Sequence, residues 1–237
     1  MTLKFSCFIT GTDTGVGKTL ISAAMLNALG RLKLKAVGMK PVAAGTLLRD
    51  GVQWNEDVAM LAEQSTLALD TQLTTSYLLN EPCAPHVAAK LQDVTLDPSV
   101  LSRAYQQVAT QAEAVVVEGV GGFRVPLTDD FDTADFAVGL GLDVILVVGL
   151  RLGCLNHALL TAEAIAARGL RLSGWVANQI DPEMPHQTDN VQALQQRLSA
   201  PLLGVVPWMS VAAPAIAADV IDFSLLDAWP RSVNSNN

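Results

Sequence analysis

The sequence predicts an α/β fold: a doubly wound, mostly parallel sheet with helices on both faces. Short β-rich runs alternate with longer helical stretches along the chain. Several of those runs are nearly continuous in Val, Ile and Leu, as strands are when helices cover both sides of a parallel sheet. The first run passes through a glycine-rich loop straight into a helical pattern. Such alternation implies right-handed βαβ units.

The elements follow in order. Strand 5–10 runs into Gly11, and helix 18–32 follows the loop. Strand 35–40 ends in Lys40, and helix 56–64 opens with Glu56-Asp57. Helix 98–111 precedes strand 114–118, apolar until it stops at Glu118. Helix 132–140, strand 144–149, helix 156–168, strand 173–178, helix 188–198 and strand 202–206 complete the alternation. Segments 43–55 and 74–93 read as long irregular loops, which in compact domains are often functional. The tail from 230, ending Asn234-Ser235-Asn236-Asn237, reads as frayed. Sheets of this type bind ligands at the carboxyl ends of their strands, so the residues just after each strand carry the functional signal.

Composition narrows the class. The 237 residues are 50% hydrophobic and 16% charged, which excludes a disordered chain and suits one domain over 1–237 with a sizeable core. A net charge of −8 argues against nucleic acid or an anionic membrane as partner. It leaves room for a small anion held by a few local cations. The start of the chain lacks a signal-peptide cleavage pattern, and the apolar stretch 136–150 is too short and interrupted to span a bilayer. Cys7, Cys83 and Cys154 are an odd count without paired spacing, the pattern of reduced thiols in a cytoplasmic protein. Neither they nor the three histidines have metal-ligand spacing, so no zinc site is expected. His86 and His157 read as solvated or packing residues, and Cys154 as a small packing residue.

The strongest motif is Gly11-Thr12-Asp13-Thr14-Gly15-Val16-Gly17-Lys18-Thr19, followed by Leu20. It has the strand–loop–helix context of a P-loop, and so of the three-layer P-loop NTPase architecture. Glycines let successive N–H groups turn inward onto phosphate oxygens, and the helix N-terminus adds positive charge. Lys18 can neutralise the β- and γ-phosphates, and the Thr19 hydroxyl is placed to ligate Mg²⁺. Gly11 stands one place early, with Thr12 where the usual spacing has glycine.

A second signal is the strand ending in Glu118, then the flexible Gly119-Val120-Gly121-Gly122. A P-loop protein places a Mg²⁺-directed acid there. Lys40 ends the second strand, so its ammonium faces the same cleft as Lys18, where a second cation suits a transferring phosphoryl group. Asp57, on spacing alone, is a helix-start carboxylate stabilised by the dipole.

Together these residues resemble dethiobiotin synthetase. The resemblance rests on the early-glycine P-loop, Lys40-Pro41-Val42-Ala43, Asn55-x-Asp57, Val117-Glu118-Gly119-x-Gly121-Gly122, Gly153-Cys154-x-Asn156-His157-Ala158, Gly174-Trp175-Val176-Ala177-Asn178 and Pro201-Leu202-Leu203-Gly204-x-Val206-Pro207-Trp208, in the family's order over 5–209. It implies an ATP- and Mg²⁺-dependent ligase of biotin synthesis. CO₂ and 7,8-diaminononanoate would close to the cyclic urea of dethiobiotin, with ADP and phosphate released. It implies Thr19, Asp57 and Glu118 as Mg²⁺ positions, which replaces the plain helix-start reading of Asp57. Lys40 and Lys18 become the catalytic lysines. Thr14 to Leu20, Gly119 to Gly121, Asn178 with Gln179, and Pro207-Trp208-Met209 become nucleotide contacts, with Asn178 on the adenine edge. Thr14, Lys40, Ala44, Leu152, Gly153, Cys154 and Asn156 become diamine contacts. The last four would serve the partner's site in a homodimer with composite active sites.

Departures from the family pattern concern the substrate. Some members carry an acid at Gly15, a serine at Ala44 and a tyrosine near Asn190, and an acidic nucleotide contact has no counterpart near Pro214. Three other readings compete. A partitioning ATPase would need a second lysine near Asp13. A GTPase is suggested by the N-x-x-D spacing of Asn178-Gln179-Ile180-Asp181, although Gln179 replaces the usual lysine and Pro182 implies a turn. A non-enzymatic nucleotide-binding module would have little use for Lys40 with two carboxylates.

Overall fold

The structure, a computed structural model, describes residues 2–231; Met1 and 232–237, and with them most of the tail expected to fray, lie outside the described residues. β1 (Phe5–Gly11) leads into α1 (Lys18–Arg31). β2 (Ala36–Met39) is followed by β3 (Val42–Ala44), β4 (Leu47–Arg49), β5 (Val52–Trp54), α2 (Glu56–Gln64), α3 (Thr71–Thr74), β6 (Tyr77–Leu79) and α4 (Pro85–Leu91). Then come α5 (Pro98–Gln111), β7 (Ala114–Glu118), α6 (Thr133–Leu140), β8 (Val144–Leu150), α7 (Cys154–Ala167), β9 (Leu172–Gln179), α8 (Gln187–Gln195), β10 (Leu202–Val206) and α9 (Pro214–Asp219).

The six expected strands form one parallel sheet in the order β10-β9-β8-β1-β7-β2. β1 is central, between β7 and β8, so chain leaving it can go to either side. That is the topological switch point where such sheets open a crevice. Alternation along the strands divides the core. Cys7 and Ile9 of β1 face α1, with Leu61 of α2 and Ala217 of α9 in the same cluster. Phe8, with Val115 and Val117 of β7, faces α5 and α6. Leu146 and Val148 of β8 meet Trp175 and α7. Buried apolar residues on both sheet faces are why the strands read as continuous apolar runs.

Two segments expected to be irregular are not. Within 43–55, β4 and β5 pair antiparallel across Asp50-Gly51, both with positive φ (52° and 77°). This is the Asp-Gly turn chemistry of a tight hairpin. Within 74–93, β6 pairs parallel with β3, and α4 starts with Pro85 in its first turn. Strands of three residues are too short to display a period, which is why the pattern read as loop. Helix α7 begins at Cys154 rather than 156, because Gly153 takes the left-handed N-cap position at φ 94°.

Candidate active site

The phosphate loop owes its path to three glycines. Gly15 (φ 74°) and Gly17 (φ 91°) occupy left-handed backbone, which costs a side-chain-bearing residue roughly 1 kcal/mol or more. Gly11 explains the early position in the motif: a Cβ there would stand 2.6 Å from Val16 Cγ2. Val16 is buried under the loop, and Thr12 N–H donates to the Val147 carbonyl at 3.0 Å. The first residue of α1, Lys18, is buried, and its ammonium donates to the Asp13 carbonyl at 2.9 Å. Burial, then the nearby Lys40 charge, lower its pKa to about 8, against the pull of Glu118, Asp57 and Asp13.

Beside Lys18 lies a cluster drawn from four elements. Thr19 Oγ1 is 2.7 Å from Asp57 Oδ1 and 2.8 Å from Glu118 Oε1, and its single proton serves one acceptor at a time. Lys40 Nζ lies 2.5 Å from Glu118 Oε1 and 2.9 Å from Asp57 Oδ2, and also donates to the Gly119 carbonyl at 3.2 Å. Burial works to depress the Lys40 ammonium, but Glu118 and Asp57 outweigh it and hold the pKa above its ordinary value. Burial likewise works to raise Asp57, but Lys40, Thr19 and Lys18 together hold it below the ordinary carboxylate range. Each side chain is presented by its element: Lys40 just past β2, Glu118 closing β7, Thr19 in the first turn of α1 and Asp57 in that of α2. Asn55 caps α2 through its side chain to Val58 N–H at 3.1 Å, which leaves Asp57 turned into the site.

Thr19, Asp57 and Glu118 could hold a divalent cation. Glu118 Oε2 is buried without a hydrogen-bond partner, the mark of an acceptor awaiting a ligand. Among the described residues no group of three or more His, Cys, Asp or Glu converges as a metal cage.

On the other side of the loop, Asn178 closes in from β9. Its Nδ2 donates to the Val16 carbonyl at 2.9 Å, and a Cβ on Gly17 would collide with the same amide. Part of the Asn178 amide therefore supports the phosphate loop. Trp208 N–H approaches Gln179 Oε1 at 3.3 Å, which joins the Asn178-Gln179 strand end to Pro207-Trp208-Met209. Asp181 is engaged elsewhere: its carboxylate accepts Glu183 N–H at 3.0 Å within the turn that Pro182 implied.

A cleft of about 920 Å³ opens above these groups. It is lined by Thr14, Gly15, Gly17, Lys18, Thr19, Leu20, Lys40, Ala44, Asp57, Val120 and Gly121, but not by Asn178, Gln179 or Pro207-Trp208-Met209. Its other wall is largely apolar, from Pro82, Cys83, Ala84, Pro85 and Val125. Glu118 lies beneath, fully buried. Leu152, Gly153, Cys154 and Asn156 do not line it. Cys154 is packed in the core, in keeping with its reading as a small packing residue, its N–H closes on the Arg151 carbonyl at 3.0 Å, and Leu152 is 95% exposed. His86 sits exposed in the first turn of α4. Asn190, in α8, donates to the His186 carbonyl at 2.8 Å. Several residues of the cleft had no motif to mark them, among them Met60, Cys83, Arg124 and Val125, and Asp13 was read for its place in the loop rather than for its side chain. Asp13 Oδ1 accepts Thr14 N–H at 2.7 Å, and Oδ2 pairs with Arg151 just past β8. The position of Arg151 at a strand end was the available signal.

Comparison with known proteins identifies the family. A family model described as an AAA domain matches residues 6–215. The ATP-dependent dethiobiotin synthetase BioD of Janthinobacterium sp. (strain Marseille) is 57% identical over 236 residues, covering 98% of this chain and 100% of that protein. The chain belongs to the dethiobiotin synthetase family. Among solved structures, the septum site-determining protein MinD of Pyrococcus horikoshii OT3, complexed with Mg-ADP, superposes with a TM-score of 0.55 at 19% identity, over 95% of this chain and 89% of that one. The ParA family ATPase of Chlorobium tepidum TLS gives 0.54 at 14% identity, over 92% and 91%. At such identities these two share the fold alone with the synthetase family.

Proposed function

We propose that this chain is an ATP-dependent dethiobiotin synthetase, which closes 7,8-diaminononanoate and CO₂ to the cyclic urea of dethiobiotin with release of ADP and phosphate. The observation that carries the reading is the Lys40 ammonium, buried between Asp57 and Glu118 beside the P-loop lysine and threonine. A nucleotide-binding module needs Lys18. A second buried cation at the same place serves an anion that reacts with the nucleotide.

The chemistry asks for positioning and charge compensation. One substrate amine takes up CO₂ and loses a proton to give a carbamate. A carbamate oxygen then attacks the γ-phosphorus, and ADP leaves. The second amine attacks the carbonyl of the mixed anhydride, the carbon–oxygen bond to phosphate breaks, and the ring closes with loss of a proton. Lys18 and the amides of Thr14 to Thr19 hold the phosphates. Lys40 steadies the carbamate and the phosphoryl oxygens as charge moves between them. Thr19, Asp57 and Glu118 would hold Mg²⁺, which when bound would neutralise phosphate charge. The apolar wall at Ala44, Pro82 and Val125 suits the alkyl chain of the diamine.

The exposed loop at Leu152 and the N-terminus of α7 lie apart from the chain's own cleft, which supports a homodimer in which they receive the partner site's substrate carboxylate. Among the described residues no helix is long and apolar enough to cross a membrane. A cytoplasmic setting is part of the same reading.

The decisive experiment is a substrate-dependent product assay. Purified protein should release phosphate from ATP only when diaminononanoate, CO₂ and Mg²⁺ are all present, and dethiobiotin should appear by mass spectrometry. No dethiobiotin at millimolar substrate would overturn the assignment.

A further inference from the structure

β8 and the residue just past it grip the phosphate loop at three alternate positions, Val147, Gly149 and Arg151. The Val147 carbonyl accepts Thr12 N–H at 3.0 Å. Gly149 admits Val16, whose Cγ1 would lie 2.9 Å from any Cβ there. Arg151, the first residue past the strand, pairs through Nη2 with Asp13 Oδ2. The first two contacts depend on backbone and on the absence of a side chain. The third is a side-chain contact, made to Asp13 within the loop.

Asp13 is unusually committed for a loop residue. Oδ1 accepts Thr14 N–H at 2.7 Å, Oδ2 takes Arg151, and the main-chain carbonyl accepts the Lys18 ammonium at 2.9 Å. Rotation of the 13–14 peptide would break the first and third of these bonds. Arg151, by holding the carboxylate, resists that rotation. The loop needs such restraint, because Gly15 and Gly17 make its backbone permissive. A loop ordered before the ligand arrives binds phosphate with less entropic cost.

The pair itself is 40% and 47% exposed, so it adds little to global stability. Its effect falls on local shape. Arg151 is also tied by its carbonyl to Cys154 N–H at 3.0 Å, at the start of α7. One residue thus joins the phosphate loop to the helix start that the proposed function assigns to the partner's substrate.

We propose that Arg151 is a positioning residue for nucleotide binding, acting through Asp13 to hold residues 12–15 in the phosphate-accepting shape. This rests only on the nucleotide-binding half of the proposed function.

The test uses the full chain and ADP as the probe, with affinities from calorimetry for the wild type, Asp13→Asn, Arg151→Gln and the double variant. The Asp13→Asn change is informative because it removes a negative charge beside an anion site. A simple charge effect would tighten ADP binding; loss of the latch weakens it. The expected result is that each single change weakens ADP binding by about five- to tenfold and that the double variant is no weaker than the poorer single, as for residues acting as one unit. Arg151→Lys, which keeps the charge, should recover most of the affinity. Tighter or unchanged binding in Asp13→Asn, or a double variant showing the product of the two single losses, would overturn the proposal. Should Arg151→Gln fail to fold, the Asp13→Asn measurement decides alone. A wild-type chain that binds ADP but makes no dethiobiotin would refute the synthetase reading while leaving this test intact.

Discussion

Lys40 Nζ sits 2.5 Å from Glu118 Oε1, and both side chains are almost wholly removed from solvent. The pair joins the carboxyl ends of β2 and β7, neighbours in the sheet, so the two charges meet because the strands are in parallel register. Asp57, at 2.9 Å, is the second anion on the same ammonium. A cation placed in this way is available to an anion at the cleft floor at the cost of loosening a carboxylate, which a bound cation could then take.

Lys40→Ala should therefore separate two functions. Turnover should fall by at least about 100-fold, the scale of losing one preorganised charge at a reacting centre. ATP binding, carried mainly by the loop amides and Lys18, should be largely spared. Stability should fall as well, because breaking a buried ion pair strands Glu118, at a cost of about 3 kcal/mol. Steady-state kinetics, nucleotide titration and urea unfolding on one preparation measure all three. Unchanged turnover would remove Lys40 from the mechanism.

Gly17→Ala should abolish nucleotide binding in a folded protein. The residue is left-handed at φ 91°, and a Cβ would collide with the Asn178 amide that supports Val16. Gly11→Ala meets Val16 instead, at 2.6 Å, and should displace the loop from beneath. By contrast a Cβ on Gly15 has open space around it, so Gly15→Ala carries only the backbone strain of φ 74°. Titration with ADP should rank the three variants, with Gly15→Ala the mildest; a Gly17→Ala protein that binds ADP like the wild type would contradict the loop geometry.

Acid stability offers a test away from the site. At the start of α6 the Asp132 and Asp135 side chains cap each other's backbone, and Arg168 pairs with both. The Asp132 N–H, against the opposing effect of burial and with help from Arg168, lowers the Asp135 pKa. A depressed carboxylate contributes stability that is present above its unfolded pKa, about 3.9, and lost as pH falls through the folded value. Asp135→Asn keeps an oxygen to accept the Asp132 N–H but loses the charge that Arg168 pairs with, so it should cost about 0.5 kcal/mol at neutral pH, the usual worth of a partly exposed ion pair. Urea midpoints of variant and wild type should converge as pH is lowered through 4 and below. A constant gap down to that range would show that the charge of Asp135 does not stabilise α6.

The sheet, the phosphate-loop geometry and the strand-end places of Lys40 and Glu118 were legible because each has a local signature. β7 and β8 are unbroken apolar runs, and Gly15 to Thr19 is a contiguous loop whose residue types follow from backbone geometry. What was not legible depends on contacts between distant segments. β3 and β6 are three residues each and exist only through one another. Asp57 read on spacing alone as an ordinary helix-start acid, and only the family resemblance changed that, because its partners Thr19 and Lys40 come from distant segments. Arg151 and Asp13 are 138 residues apart and neither belongs to a spacing that names the other. The Asp50-Gly51 turn was a missed local signal.

The base preference follows from what Asp181 is doing. The N-x-x-D spacing from Asn178 would suit guanine if Asp181 presented its carboxylate toward the base. Instead that carboxylate accepts Glu183 N–H at 3.0 Å, and the Asp181 carbonyl accepts Gln187 Nε2 at 2.8 Å, so the residue builds the turn leading to α8. Asn178 is buried against the phosphate loop, and Gln179, beside it, is bridged to Trp208. ATP should therefore be used in preference to GTP by at least about tenfold in kcat/KM, the yield of one properly paired base contact. Asp181→Asn should leave that ratio unchanged, because an asparagine oxygen can still accept the Glu183 N–H. A nucleotide panel on the two proteins checks both statements. A preference for GTP that collapses in Asp181→Asn would return this residue to the base and overturn the adenine assignment.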